Sequence, residues 1–305
     1  MEPIATFVFL DLETTGLPEY ECNKTKITEL SMIAVKRKHI LDGTPRVKHK
    51  LTLCFNPGRM IDPVSTTLTG LCNDLLEYES YFCKETLKTI YSFLSLLKEP
   101  VCMIAHNGYR FDFPILQNQL HRLKERFPKD ILCADSWFCF YDLLDPAIHN
   151  SVNAQVQVSQ EATGTECINK MIANNCKNLC HKCREPINEL DQNTENLNEQ
   201  RLMQLANEST PKSKKRKISS QTHTPSKAKR RLPWGTNPPP KDSYKLEEVY
   251  KRKVGSITAS AHQAENDCIM ALEIAVVLKD KFVKWVDQNC QLFSECKPMT
   301  IGIPL

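Results

Sequence analysis

No run of apolar residues in the 305-residue chain approaches the ~18 that a membrane-spanning helix needs. A basic segment ahead of an apolar stretch is also missing at the N-terminus, and Asp11 interrupts the first apolar run. That excludes a secretory signal and predicts an intracellular chain. Internal repeats are absent, which excludes a solenoid or a propeller. A disulfide framework is not expected either. The 14 cysteines are scattered along a long chain without a secretion signal, so they read as reduced thiols. The longest stretch without acidic residues is also strongly basic. From Ser209 to Lys241 there is no Asp or Glu, against ten Lys and Arg. Taking those ten from the 40 basic residues leaves 30 against 36 acidic ones, so the body is mildly acidic. Nucleic-acid binding by that body must then rest on local groups, not on overall charge.

What is present is an alternation of strand and helix patterns. Strands are expected near the start (FVFLDLETTG, 7–16), at ITELSMIAV (27–35), in the alternating KHKLTLCFNPG (48–58) and at VCMIAHN (101–107). STTLTG, Ser65 to Gly70, reads as a loop. Lys84–Leu97 has a helical period through Leu87, Ile90, Tyr91, Leu94 and Leu97. A second helix is expected after Pro114, with Ile115, Leu116, Leu120 and Leu123 as its apolar face. ILCADSWFCFYDLL (131–144) reads as a strand running into a helix, and Ala264–Val283 as one amphipathic helix. The pattern predicts an α/β fold, a sheet covered by helices. Residues 147–241 break it. They are rich in Asn, Gln, Ser, Thr, Lys and Pro, and such a composition buries too little to offset chain entropy. The expected organisation is a domain in two parts, 1–146 and 242–305, around a long disordered insertion, 147–241, with a short helix near Glu189–Ala206.

The first strand poses a chemical question. Successive side chains of a strand point to opposite faces, so Phe7, Phe9, Asp11 and Glu13 share one face. Two adjacent carboxylates repel and are costly to bury without a cation. Hard oxygen ligands suit Mg²⁺ or Mn²⁺. A strand end that simply reaches solvent is the plain alternative. Asp112, in IAHNGYRFDFPIL (104–116), follows a buried strand and a glycine turn at the mouth of a helix, where it would serve as a cap or as a third carboxylate. In SAHQAENDCIMAL (260–272), His262 and Asp267 are five residues apart, about 140° around a helix. They converge only if His262 lies on the loop before the helix and Asp267 one turn inside it; otherwise they are a surface histidine and an ordinary first-turn residue.

The ordered set D-x-E, a distant Asp, then H-x-x-x-x-D resembles the DEDDh exonucleases. FLDLETTGLP, KLTLCFNPG, TLTGL, AHNGYRFDFPIL, SYKLEEVY and HQAENDCIMAL resemble, in order, the three-prime repair exonuclease group, over roughly 4–145 and 242–280. The long insertion departs from that group. The long C-terminal extension with a membrane tail, found in one branch, is not seen before Leu305. The resemblance implies a ribonuclease H-like fold, a mixed central sheet flanked by helices. It implies that Asp11, Glu13, Asp112 and Asp267 hold two divalent metals, Mg²⁺ with Mn²⁺ able to substitute, and that His262 is the general base. It also implies substrate contacts by Glu13, Thr14, Leu17, Leu68, Arg110 and Phe111. The branch often has Tyr at the position of Phe111, which leaves a direct role for Phe111 open. The implied activity is 3′→5′ hydrolysis of single-stranded or frayed DNA ends to 5′-nucleoside monophosphates, with little sequence preference. RNA trimming, a proofreading subunit and a catalytically dead binding module are the alternatives; the last would be expected to lack one of these five residues.

Four further expectations concern localisation, modification, metal and assembly. PKSKKRK (211–217) and KAKRR (227–231) read as a nuclear import signal within 211–231, giving a nuclear and cytoplasmic protein, or as a basic arm on phosphate backbone. Thr210-Pro211 and Thr224-Pro225 place phosphorylation sites beside them. Cys180 and Cys183, with Cys167, Cys176 and His181 nearby, form one C-x-x-C pair, short of a full zinc-ribbon pattern. Residues 46–58, RVKHKLTLCFNPG, resemble the strand through which the group forms homodimers.

Overall fold

The structure, a computed structural model, describes residues 2–43, 45–127, 131–144, 243–256 and 262–300. The basic clusters, the threonine-proline sites, the cysteine group and the helix expected at Glu189–Ala206 lie outside them. In chain order the elements are β1 (Thr6–Thr14), β2 (Ile27–Lys36), α1 (Arg37–Leu41), β3 (His49–Cys54), α2 (Pro63–Thr69), α3 (Lys84–Ser95), β4 (Val101–Ala105), α4 (Asp112–Leu123), β5 (Leu132–Asp135), α5 (Ser136–Leu144), α6 (Leu246–Lys253), α7 (Ala264–Leu278), α8 (Asp280–Asn289) and β6 (Gln291–Leu292). The strands form one mixed sheet in the order β3-β2-β1-β4-β5-β6. β1 pairs antiparallel with β2 and parallel with β4, and β4 pairs parallel with β5.

The alternation of β1 divides the core. Phe7 and Phe9 enter an apolar cluster with Ile33, Ile104, Phe140, Leu272 and Phe282, under α5, α7 and α8. Val8, Leu10 and Leu12 enter the opposite cluster with Met32, Ile90, Met103, Phe113 and Leu116, under α3 and α4. This is the expected helix–sheet–helix arrangement. Asp11 and Glu13 continue the Phe7–Phe9 row, so they project toward the side covered by α7. β1 and β4 run parallel, and their connections leave in opposite directions along the sheet. Such a switch point opens a crevice at the strands' C-terminal ends.

Two sequence expectations are corrected. STTLTG is not a loop but most of α2. Asp62 Oδ1 accepts the Val64 N–H at 2.8 Å, Pro63 takes the first helical position, and Gly70 closes the helix in the left-handed region at φ 74°. Pro63 and Asp62 supply the start signal, and they lie just outside the stretch read as a loop. Ala264–Val283 is not one helix. Lys279, at φ 45°, breaks it into α7 and α8, and the break lets Phe282 turn back to pack on Phe7 at 5.6 Å between ring centroids. β3 is an edge strand, as the expected pairing strand should be. Its alternation also holds: Leu51 and Leu53 lean on the α3–α4 core, while Lys50 and Thr52 reach Glu265 at 2.5 and 3.0 Å.

Candidate active site

Three features of the fold deliver the four carboxylates. Asp11 and Glu13 come from the end of β1. A register irregularity follows immediately, between Glu13 and Thr14, and ends the ladder with β2. Asp267 lies in the first turn of α7, where the helix N-terminus favours negative charge. One oxygen from each of Asp11, Glu13 and Asp267 lies within 4.8 Å of the others. Asp112 is buried beside them at the first position of α4. The cap of α4 is Phe111, so Asp112 does not serve as the cap. Its Oδ1 is buried with no hydrogen-bond partner among the described residues.

The electrostatics describe a cluster short of positive charge. Burial, then the carboxylates of Asp112, Asp267, Glu13 and Glu29, hold the Asp11 carboxyl well above the ordinary range. Burial also raises Asp112, against partial relief from its own backbone N–H and that of Leu12. Glu13 is pushed to about 8 by burial, Asp267 and Glu29. Asp267 is pushed to about 7 by burial, opposed by the His262 backbone N–H and helped by Glu247 and Glu29. A cation among these groups would relieve the repulsion and give the Asp112 oxygen a partner. The all-oxygen donor set fits Mg²⁺ or Mn²⁺ better than a soft metal.

His262 occupies the loop before α7, as its spacing from Asp267 required, and adopts the left-handed region at φ 61°. Its backbone N–H serves Asp267, while its half-exposed ring places Nε2 3.5 Å from Glu247 Oε1. Thr14 is buried, and its hydroxyl donates to the Gly16 carbonyl at 3.1 Å, so its side chain braces the turn. Leu17 and Leu68 are both about half-exposed, at 49% and 51%. Their segments are tied together, because Ser65 Oγ donates to the Thr14 carbonyl at 2.6 Å and the Asp62 N–H to the Thr15 carbonyl at 2.7 Å. Gly16 packs closely at this junction, where a Cβ would meet Asp62 Cβ at 3.3 Å. Arg110 is exposed and Phe111 partly buried against the α3–α4 core.

Four supporting residues escaped the sequence reading. Glu29 stands opposite Glu13 in the β1–β2 pair and accepts the Ala264 N–H at 3.0 Å, docking the start of α7 onto the sheet. Its signal was the same as that of Asp11, a carboxylate inside an apolar strand. Asp135, fully buried at the end of β5, accepts backbone N–H groups from Asn107 at 2.9 Å, Tyr109 at 3.1 Å and Trp137 at 2.9 Å. It thereby shapes the loop that delivers Asp112. Burial raises it to about 6 against those hydrogen bonds. Gly108 belongs to the same loop, and a Cβ there would meet Ala105 Cβ at 2.6 Å. His106 ties the end of β4 to α5 through Ser136 Oγ at 3.1 Å and to the segment before α6 through the Tyr244 carbonyl at 2.9 Å; burial lowers it to about 4, so it is neutral.

Comparison with known proteins bears on the family. Residues 8–187 match the RNase_T family, described as Exonuclease. The chain is similar to three prime repair exonuclease 2 of Homo sapiens, 42% identical over 142 residues, covering 43% of this chain and 59% of that protein. It is also similar to three-prime repair exonuclease 1 of Bos taurus, 27% identical over 314 residues, covering 98% of this chain and 71% of that protein. The matched part thus spans less than two thirds of three prime repair exonuclease 2. Among solved structures, E. coli exonuclease I in complex with a dT13 oligonucleotide is similar at a TM-score of 0.49 and 14% identity, covering 93% of this chain and 43% of that one. Cell-death related nuclease 4 is similar at 0.43 and 13%, covering 95% and 66%. The family match covers more than half of the chain and contains three of the four clustered carboxylates, so the chain belongs to the RNase_T exonuclease family.

Proposed function

We propose that the chain is a divalent-metal-dependent 3′→5′ exonuclease that removes 5′-nucleoside monophosphates from single-stranded or frayed DNA ends. The observation that carries this reading is the convergence of Asp11, Glu13 and Asp267 within 4.8 Å, with the unpartnered Asp112 oxygen beside them. The names of the related three prime repair exonucleases support the direction of attack and DNA as substrate. Asp11, Glu13, Asp112 and Asp267 would hold two Mg²⁺ ions. When bound, such ions supply charge stabilisation to the scissile phosphate and lower the pKa of the attacking water.

The remaining roles belong to the chain itself. His262, on the loop before α7, accepts the proton of the attacking water; release from Glu247 frees its ring for that step. Leu17 and Leu68 offer apolar contact to the last bases, which reads no particular sequence. Arg110 is exposed beside Phe111 and available to a backbone phosphate. Asp135 and Glu29 hold the two loops in place. The exposed edge of β3 supports a homodimer through residues 46–58, since an edge offers unpaired N–H and C=O groups to a second copy. The basic clusters within 211–231 support nuclear import alongside a cytoplasmic pool.

The test is the purified chain on 3′-labelled single-stranded DNA and RNA of one sequence, with Mg²⁺ and with EDTA. Loss of label from DNA only when Mg²⁺ is present is expected. Faster loss from RNA would favour the RNA-trimming alternative, and loss in EDTA would remove the metal from the account.

A further inference from the structure

On the α3–α4 side of the sheet, away from the carboxylate row, lies a cavity of about 190 Å³. Lys26 at the start of β2, Asn56 after β3, Tyr81 and Phe82 ahead of α3, and Gln119 and Arg122 of α4 line it. Its charge is unusual for a body that is acidic. Lys26 is half-buried, and its ammonium is held below the ordinary range by burial and then by the guanidinium groups of Arg122 and Arg59. Arg59 is paired with Glu21 at 3.0 Å. Lys26 and Arg122 have no carboxylate at ion-pair distance among the described residues. Among the described residues, the side chain of Arg122 donates one hydrogen bond, to the Phe82 carbonyl at 3.4 Å. Partly desolvated like charges side by side are costly unless an anion compensates them.

A third group points the same way. Gln119 is 2% exposed, lines the cavity, and its Oε1 has no hydrogen-bond partner among the described residues. A half-turn of the amide presents an N–H donor at the same place. Two cations and an amide around a small cavity make a site for an oxyanion. The volume equals that of roughly six waters, enough for a phosphate with its hydration but not for a whole nucleotide. The charge selects among phosphates. A monoester carries about −1.5 to −2 at neutral pH and so matches two cations, while a backbone diester carries one charge. The Arg122 fork suits such an anion, and the exposed Tyr81 ring at the mouth offers a stacking surface to a base outside.

We infer that this cavity is a second anion site, which takes the terminal monoester phosphate of a nucleotide. That the ligand is a nucleotide rests on the exonuclease reading above; that it is a phosphate monoester does not. Free mononucleotide product and the 5′-phosphorylated end of a DNA strand share this chemistry.

Calorimetric titration of the full chain with inorganic phosphate, 5′-dTMP and thymidine, in Mg²⁺ and in EDTA, tests it. Phosphate and 5′-dTMP are expected to bind in both buffers, 5′-dTMP the tighter, and thymidine in neither. Lys26→Gln with Arg122→Gln should weaken binding by about tenfold or more, the scale of lost charge-assisted hydrogen bonds, and Lys26→Arg should retain it. In EDTA, where the carboxylate site holds no metal, Asp11→Asn should bind phosphate and 5′-dTMP as the unchanged chain does. Phosphate bound only with Mg²⁺, or equally well by the folded double variant, would overturn the site. Phosphate bound in EDTA without any gain from 5′-dTMP would overturn the nucleotide alone. A preference in the Asp11→Asn chain for a 5′-phosphorylated over a 5′-hydroxyl oligonucleotide assigns the site to a DNA end; its absence, with 5′-dTMP bound, assigns it to free product.

Discussion

Replacing Asp11 by Asn tests the crowding of the carboxylates without touching the packing. The side chain keeps its shape, and no hydrogen bond to its carboxylate is found among the described residues. Its oxygen lies within 4.8 Å of both Glu13 and Asp267. At an effective dielectric constant of ~20, two full charges at that distance repel by about 3.5 kcal/mol. The protein avoids part of this by holding protons, so the measurable relief is smaller, about 1–3 kcal/mol in the absence of metal. A change of 1 kcal/mol moves the melting temperature of a domain this size by ~2–4 °C. Asp11→Asn in EDTA is therefore expected to melt roughly 2–12 °C higher than the unchanged chain, with the same circular dichroism. In Mg²⁺ the order should narrow or reverse, because the variant has lost a ligand, and nuclease activity should fall by orders of magnitude. Differential scanning calorimetry in the two buffers reads all of this. An unchanged or lower melting temperature in EDTA, with the fold intact, would refute the claim that these charges are held together against their repulsion.

Other perturbations separate the remaining roles. His262→Ala should lose ~10²–10⁴ of the rate while DNA and Mg²⁺ affinities stay the same; a matching loss of Mg²⁺ affinity would make the residue a ligand instead. Asp135→Asn leaves a buried backbone N–H facing an amide N–H₂, so stability should fall by about 1–3 kcal/mol and kcat should drop more than KM rises. In EDTA, folded Glu13 at about 8 and Asp267 at about 7 keep protons that the unfolded chain releases near 4. The folded state then binds more protons across that window, so stability should decline as pH rises from about 4 to about 8, and urea midpoints near pH 5 and near pH 9 should show it. Leu51→Pro removes a ladder donor from β3 and should convert a homodimer to monomers in light scattering; a dimer that persists would move the interface elsewhere.

The sequence was most legible where one rule acted alone. The period of two in β1 placed Asp11 and Glu13 on one face, and the structure shows that face turned toward α7. The five-residue gap from His262 to Asp267 required a loop before the helix, and Gln263 is the cap. Legibility failed where the deciding neighbour was distant or just outside the stretch being read. α2 was hidden because its start signals, Asp62 and Pro63, precede STTLTG. The break at Lys279 has no Gly or Pro to announce it; tertiary packing of Phe282 on Phe7 and Phe9 accompanies it. Apart from the Trp137 N–H, Asp135 and Glu29 act through backbone groups 26 to 235 residues away, and no local period reports such contacts.

The central claim is that the four carboxylates serve metal-dependent removal of nucleotides from a 3′ end. The most direct measurement follows 5′-labelled single-stranded DNA incubated with the purified chain and Mg²⁺, with the small products identified in parallel. The account predicts a ladder of fragments shortened from the 3′ end and release of 5′-nucleoside monophosphates, both abolished by EDTA and by Asp267→Asn. Immediate loss of label as a mononucleotide, internal cuts, or a ladder that persists without divalent metal would contradict it.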